Sequence, residues 1–214
     1  MAVLIRRTVV RTVVTIPGIP VRSIVFFACF YAYIWKVIEP YLVYYGYGIV
    51  TKYPEFSTGW EFFKEHLSYA AGLLEYSAAF LSHLFYFSWV GALIITAIAW
   101  LISVPAVRLM RLSGTADSKF IRYVPALLVL MLFNEYNDPL YTCLGVLAGL
   151  WFSVLYEKIC PRNTAGAICS FIGLLGVLYY IAGGGASIVF VLTAGLCVIL
   201  FGGKGLIGGS YLVI

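Results

Sequence analysis

Stretches of about 20 apolar residues, each enough to cross a hydrocarbon layer of about 30 Å, recur along the chain, with short clusters of arginine and lysine between them. Hydrocarbon offers backbone N–H and C=O groups no partner, so runs of this length are read as helices that satisfy their own backbone. Only 11% of the 214 residues are charged and 63% are hydrophobic, with mean hydropathy +0.98. Soluble domains carry about a quarter charged residues. The expected fold class is therefore all-α, a polytopic transmembrane helix bundle.

The runs place spans at residues 23–45, 84–104, 121–133, 139–156, 165–182 and 186–201. That is at least six, and a partial seventh begins at Leu206. Residues 1–22 form a basic arm with Arg6, Arg7, Arg11 and Arg22, broken by Pro17 and Pro20. No small-residue cleavage site follows, so the first span reads as retained rather than as a signal peptide. Residues 23–214 form the transmembrane domain, with a long loop at 46–85. Within that loop residues 61–69 carry Phe62, Phe63, His66 and Leu67 on one side and Glu61, Lys64 and Glu65 on the other, the pattern of a short helix lying on a membrane surface. The stretch from Leu73 reads as continuing without a breaker into the second span. The last stretch reaches Ile214 after about 14 Å of rise, half a bilayer, so the sequence reads as the front part of a longer protein.

Charge sets the orientation. On this layout eleven basic residues share one side with the N-terminus, and only Lys52 and Lys64 lie on the other. Positive loops stay in the cytoplasm. The expectation is a multi-pass protein of the inner (plasma) membrane with a cytoplasmic N-terminus and the bilayer as its first partner. The net charge of +5 is spent on these loops and forms no basic stripe with stacking aromatics, so nucleic acid is not an expected partner.

Several motifs carry two readings each. Gly203–Gly208 matches GxGxxG, but between apolar runs it reads as an inter-helix turn rather than a dinucleotide site. Gly145 and Gly149 form a GxxxG pair, suited to close packing within the chain or between copies. The five cysteines include no CxxC and suggest neither a disulfide framework nor a zinc site. Lys36 and Glu39, three apart in the first span, are either a neutralising pair beside Pro40 or part of a proton or ion path. Glu75, Ser82, His83 and Tyr86 fall on one helix face, as the polar edge of a helix or as an acid–base site. Glu135 and Asp138 sit in the tight loop between the third and fourth spans; Asp138-Pro139 also reads as a helix cap.

The stretch Phe62-Phe63, His66-Leu67-Ser68-Tyr69, Gly72-Leu73-Leu74-Glu75-Tyr76, Phe80-Leu81, Leu84-Phe85-Tyr86 and Gly91-Ala92-Leu93-Ile94 resembles an uncharacterised family of bacterial polytopic membrane proteins. The resemblance covers about residues 20–200, implies no activity, and departs from the pattern at Ala70-Ala71, where Pro-Gly is expected. In layout alone the chain is also similar to the GT-C superfamily of lipid-linked-sugar glycosyltransferases, which carry acids in the first outer loop and again between spans three and four. Here Glu55, Glu61, Glu65 and Glu75 would take the first position, without the usual aspartate, and Glu135 and Asp138 the second. Three functions stay open. One is a structural or assembly role. The second is a transferase using a polyprenyl-linked donor, with Glu75, Glu135, Asp138 and His83 catalytic and a divalent metal on Glu135 and Asp138. The third is a transporter using Lys36 and Glu39.

Overall fold

Backbone hydrogen bonds close locally throughout the computed structural model, which describes residues 21–45, 59–112, 120–134, 139–161 and 164–201. Among these every regular element is helical. α1 (Val21–Tyr33) runs into a π-helical turn, Ile34–Ile38, followed by α2 (Pro40–Tyr45), α3 (Trp60–Leu67) and α4 (Gly72–His83). A 3-10 turn, Leu84–Tyr86, leads to α5 (Ser88–Leu112); another, Ile121–Tyr123, leads to α6 (Val124–Phe133). α7 (Pro139–Ile159) and α8 (Thr164–Phe201) complete the described chain. Four stretches are long and apolar enough to cross a membrane: Val21–Ile38, Ser88–Met110, Leu140–Ile159 and Ala165–Leu196. Ile121–Phe133 is a shorter apolar helix.

Side-chain contacts give the helix directions. Ser23 meets Tyr123, while Tyr31 donates to the Trp89 carbonyl, so α1 runs against α5. The Arg108–Glu157 ion pair and the bond from Trp151 to the Leu101 carbonyl make α5 and α7 parallel. α8 is broken at Gly183 (φ 76, ψ −170). On a straight helix Phe171 and Phe190 would stand about 28 Å apart; instead their rings stack with centroids 5.1 Å apart. The two arms therefore fold back on each other, as a hairpin whose tip is Gly183. One end of the bundle gathers exposed Tyr33, Trp35, Trp60, Trp89, Tyr179 and Tyr180. The other gathers Arg22, Arg108, Arg122 and Lys158.

Two apolar clusters fill the interior. Phe30, Ile34, Phe85, Ile95, Phe133 and Leu140 knit α1, α5, α6 and α7 together. Leu178, Ala182, Ala186 and Phe190 join the α8 arms to Leu74 of α4 and Tyr156 of α7. Gly149 seats α7 on α8: a Cβ there would lie 2.7 Å from the Ala186 carbonyl oxygen, whereas one at Gly145 would meet nothing closer than 3.7 Å. The GxxxG pair thus packs within the chain. Ser103, Ser153, Ser187 and Thr193 return their hydroxyls to carbonyls one turn back, as suits polar side chains among apolar ones.

The structure corrects the sequence boundaries in four places. The first apolar helix ends at Ile38 rather than Tyr45, because Glu39 turns left-handed (φ 48) and Pro40 has no N–H to continue the ladder. The stretch from Leu73 does not continue into the next helix. Phe87 is extended (φ −96, ψ 103), which drops Phe85 into the core beneath Gly91. α3 stops at Leu67 and α7 reaches Ile159. The basic arm at 1–20, Glu55 with its neighbouring turns, the Gly203–Gly208 motif and the stretch from Leu206 lie outside the described residues.

Pro105 lies inside α5, yet that helix continues to Leu112. Proline cannot donate to the carbonyl four residues back, here that of Leu101. That oxygen instead accepts from Trp151 Nε1 on α7 at 3.2 Å. Trp151→Phe should therefore destabilise the protein by about 0.5–1.5 kcal/mol, the net worth of one such hydrogen bond. In a Pro105→Ala background, where the helix supplies its own donor, the same change should cost much less. Denaturant midpoints in detergent micelles for the four proteins of this cycle give the coupling; a value near zero would dissociate Trp151 from the proline.

Candidate functional site

At the aromatic end α3 and α4 form a surface pair. Phe63 packs edge-on against Tyr76 at 5.0 Å, with Phe62 and His66 beside the same ring. His66 Nδ1 lies 2.8 Å from the Phe62 carbonyl oxygen. The turn between the helices is so tight that a Cβ at Gly72 would fall 1.7 Å from the His66 carbonyl oxygen. Ala71, just before it, is forced to φ 73, a left-handed conformation that costs an L-residue about 1–2 kcal/mol.

That strained turn is docked on the α8 hairpin tip. The break at Gly183 removes the donor the Tyr180 carbonyl would have had from the next turn. Ala71 N–H supplies one at 2.9 Å. In return the Tyr180 hydroxyl donates to the Leu67 carbonyl, an end group of α3, at 2.6 Å. Each partner caps the other's open helix end. Gly183 lies directly under Ala71, where a Cβ would stand 2.8 Å from the Ala71 methyl and 3.5 Å from the Tyr141 hydroxyl.

Glu75 completes the cluster. Tyr69 donates its hydroxyl to Glu75 Oε2 at 2.7 Å. Tyr69 is pushed up to about 12, by partial loss of hydration first, then by the hydrogen bond to Glu75 and the charges of Glu75 and Glu65. Such a phenol holds its proton and acts as a donor, not as a base. Glu75 remains exposed and retains capacity to accept from a second donor.

The other expected site residues scatter. His83 stands about 12 Å farther along α4 than Glu75. Ser82 is buried, its hydroxyl donating to the Ala79 carbonyl, and Tyr86 lies past the helix break. The shared polar face is thus split. Lys36 and Glu39 do not form an ion pair: the ammonium lies 4.4 Å over the Trp35 ring, and Glu39 has left the helix. The π-helical turn and the left-handed residue displace the three-residue spacing from one face. Glu135 and Asp138 lie outside the described residues. Among the described residues no group of three or more His, Cys, Asp or Glu side chains could hold a metal. Sequence reasoning overlooked Tyr69, Tyr141, Tyr180 and Ala71. Its one available signal was Ala71 standing where the resembled pattern has glycine.

Among the described residues four helices long and apolar enough to cross a membrane, with a surface pair clamped at one end, define an all-helical protein of the membrane class. The chain belongs to the family of unknown function DUF6057, whose family model matches residues 15–209. No curated protein and no solved structure matches it.

Ala71→Gly should relieve the left-handed strain and, after the added chain entropy of glycine, raise stability by about 0.5–1 kcal/mol. A lowered unfolding midpoint in detergent would instead make the methyl contact with Gly183 dominant.

Tyr69 gives a pH signature. Between the ordinary tyrosine value of about 10 and about 12 the folded chain keeps a proton that the unfolded chain has released. The clamp's contribution is therefore complete below pH 10 and is lost as pH rises through about 12. Subtracting the phenolate absorbance titration of Tyr69→Phe from that of the native protein should leave one transition near pH 12, and Glu75→Gln should move it down. A difference centred at the ordinary value would show that the bond to Glu75 is not made.

Proposed function

We propose that this chain is a multi-pass protein of the bacterial inner (plasma) membrane with a cytoplasmic N-terminus and a structural or assembly role. In this reading six helices cross: Val21–Ile38, Ser88–Met110, Ile121–Phe133, Leu140–Ile159 and the two arms of α8, each arm rising about 27 Å. The arginine-rich end lies in the cytoplasm and the tyrosine- and tryptophan-rich end at the outer interface, where such rings settle.

The structural role rests on one observation: the polar groups at the aromatic end are turned on one another. Ala71 with Tyr180 and Tyr180 with Leu67 fix the surface helices on the hairpin tip, and Tyr69 with Glu75 closes the turn that leads into α4. Lys36 and Glu39, which transport would use, are exposed rather than directed into the bundle. A transferase of GT-C type remains the second reading, favoured by the exposed Glu75 carboxylate at the end where α6 finishes and α7 starts. There Glu75 and His83 would serve acid–base steps, and Glu135 with Asp138 would hold a divalent metal for a polyprenyl-linked donor.

Reporter fusions after residues 50, 112, 137, 162 and 184 should alternate outside and inside, beginning outside. An external reporter at 112 would invert the orientation. Glu75→Gln and Glu135→Gln cells should retain the phenotype of the native protein. Loss of phenotype with normal protein levels in the membrane would transfer the case to the transferase.

A further inference from the structure

A groove of about 420 Å³ runs along the membrane-facing side of α1 and α5. Phe27, Ala28 and Tyr31 line it from α1, and Leu93, Ala97 and Trp100 from α5. Three of the lining residues carry hydroxyls, and all are engaged: Ser23 lies 3.3 Å from the Tyr123 hydroxyl, Thr96 donates to the Ala92 carbonyl, and Tyr31 donates to the Trp89 carbonyl. What the groove offers an occupant is therefore hydrocarbon, over the roughly 12 Å between Ser23 and Tyr31.

Its basic end is different. The Ser23–Tyr123 contact brings the starts of α1 and α6 together, and an arginine precedes each partner, Arg22 on one side and Arg122 on the other. Among the described residues the ion pair at this end is Arg108–Glu157, and neither Arg22 nor Arg122 has a carboxylate partner. Arg22 and Arg122 thus each stand one residue from the contact at this end of the groove. A guanidinium binds phosphate oxygens through two parallel N–H bonds, stronger and more directional than a single contact.

We propose that this groove binds an anionic phospholipid, one acyl chain lying between α1 and α5 and the phosphate held by Arg22 and Arg122. The site rests on the membrane reading above, which puts these arginines at the cytoplasmic leaflet, where anionic lipids concentrate. The charges select the headgroup and the groove retains the chain. A zwitterionic lipid would fill the groove equally well but would gain less at the mouth.

The full-length protein, purified in detergent, is offered phosphatidylglycerol or phosphatidylcholine with identical acyl chains, and bound lipid is read by native mass spectrometry. At about fivefold per arginine, the native protein should prefer phosphatidylglycerol by about 30-fold. Arg22→Gln and Arg122→Gln should each remove about fivefold of that, and the double variant nearly all of it. Arg108→Gln, at the same end but away from the groove, should keep the preference. Ala97→Phe should reduce retention of both lipids. Equal retention of the two lipids by the native protein, a preference surviving the double variant, or equal loss in Arg108→Gln would overturn the site. Efficient disulfide cross-linking of Ala97→Cys between copies would assign the groove to a second chain and also overturn it. Alkaline carbonate extraction separates the two levels: release from the membrane defeats the membrane reading, while retention without lipid preference defeats only the site.

Discussion

Backbone groups in a hydrocarbon environment must find partners inside the protein, and the notable contacts of this chain follow from that constraint. At two interruptions, Pro105 and Gly183, an acceptor is released and a donor from elsewhere in the sequence meets it. Pro105 frees the Leu101 carbonyl, and Trp151 takes it. Gly183 frees the Tyr180 carbonyl, and Ala71 takes it. The tertiary structure is fastened at the interruptions as much as along the intact helices.

Between those points the helices are held by fit. Lipid tails are as apolar as leucine, so burying a leucine against another helix gains little from leaving lipid. Close contact has to supply the attraction, and it is found where side chains are small. The α7–α8 contact is built on Gly149 against Ala186, with Ala182 and Ala194 buried along the same hairpin. α1 is less enclosed than α5 or α7, 22% of its apolar window being buried against 50% in each of those. The groove lies on this less enclosed helix, between it and α5.

The sequence displayed the apolar runs and the glycine turn because both are local. The third run, 121–133, matches its helix, and the gap left between the runs 165–182 and 186–201 contains Gly183, where α8 breaks. The ends of the first two runs were not legible. Nothing in the apolar pattern marks Glu39 or Phe87 as a break; one follows from proline geometry and a left-handed residue, the other from the need to seat Phe85. The expected site fared similarly. Glu75 was singled out for its charge, but its partner Tyr69 sits in a turn whose shape depends on α8, over a hundred residues later. Spacing on a helix face predicted Ser82, His83 and Tyr86 as its companions, but Ser82 is buried, His83 lies two turns farther along α4, and Tyr86 lies beyond the end of that helix.

The clamp has a consequence for how the surface helices are held. Ala71 occupies a left-handed conformation that alanine would abandon in isolation, and its N–H bond to Tyr180 is available only in that conformation. The strain of about 1–2 kcal/mol opposes a hydrogen bond net of about 0.5–1.5 kcal/mol, so the two nearly cancel. What tips the balance toward docking is the second bond, from the Tyr180 hydroxyl to Leu67, together with the seating of Leu74 among the α8 arms. With glycine at position 71 the strain would be absent and the first bond would add to these contacts; with alanine there, the surface pair is held on the hairpin tip through Leu67 and Leu74 more than through Ala71 itself.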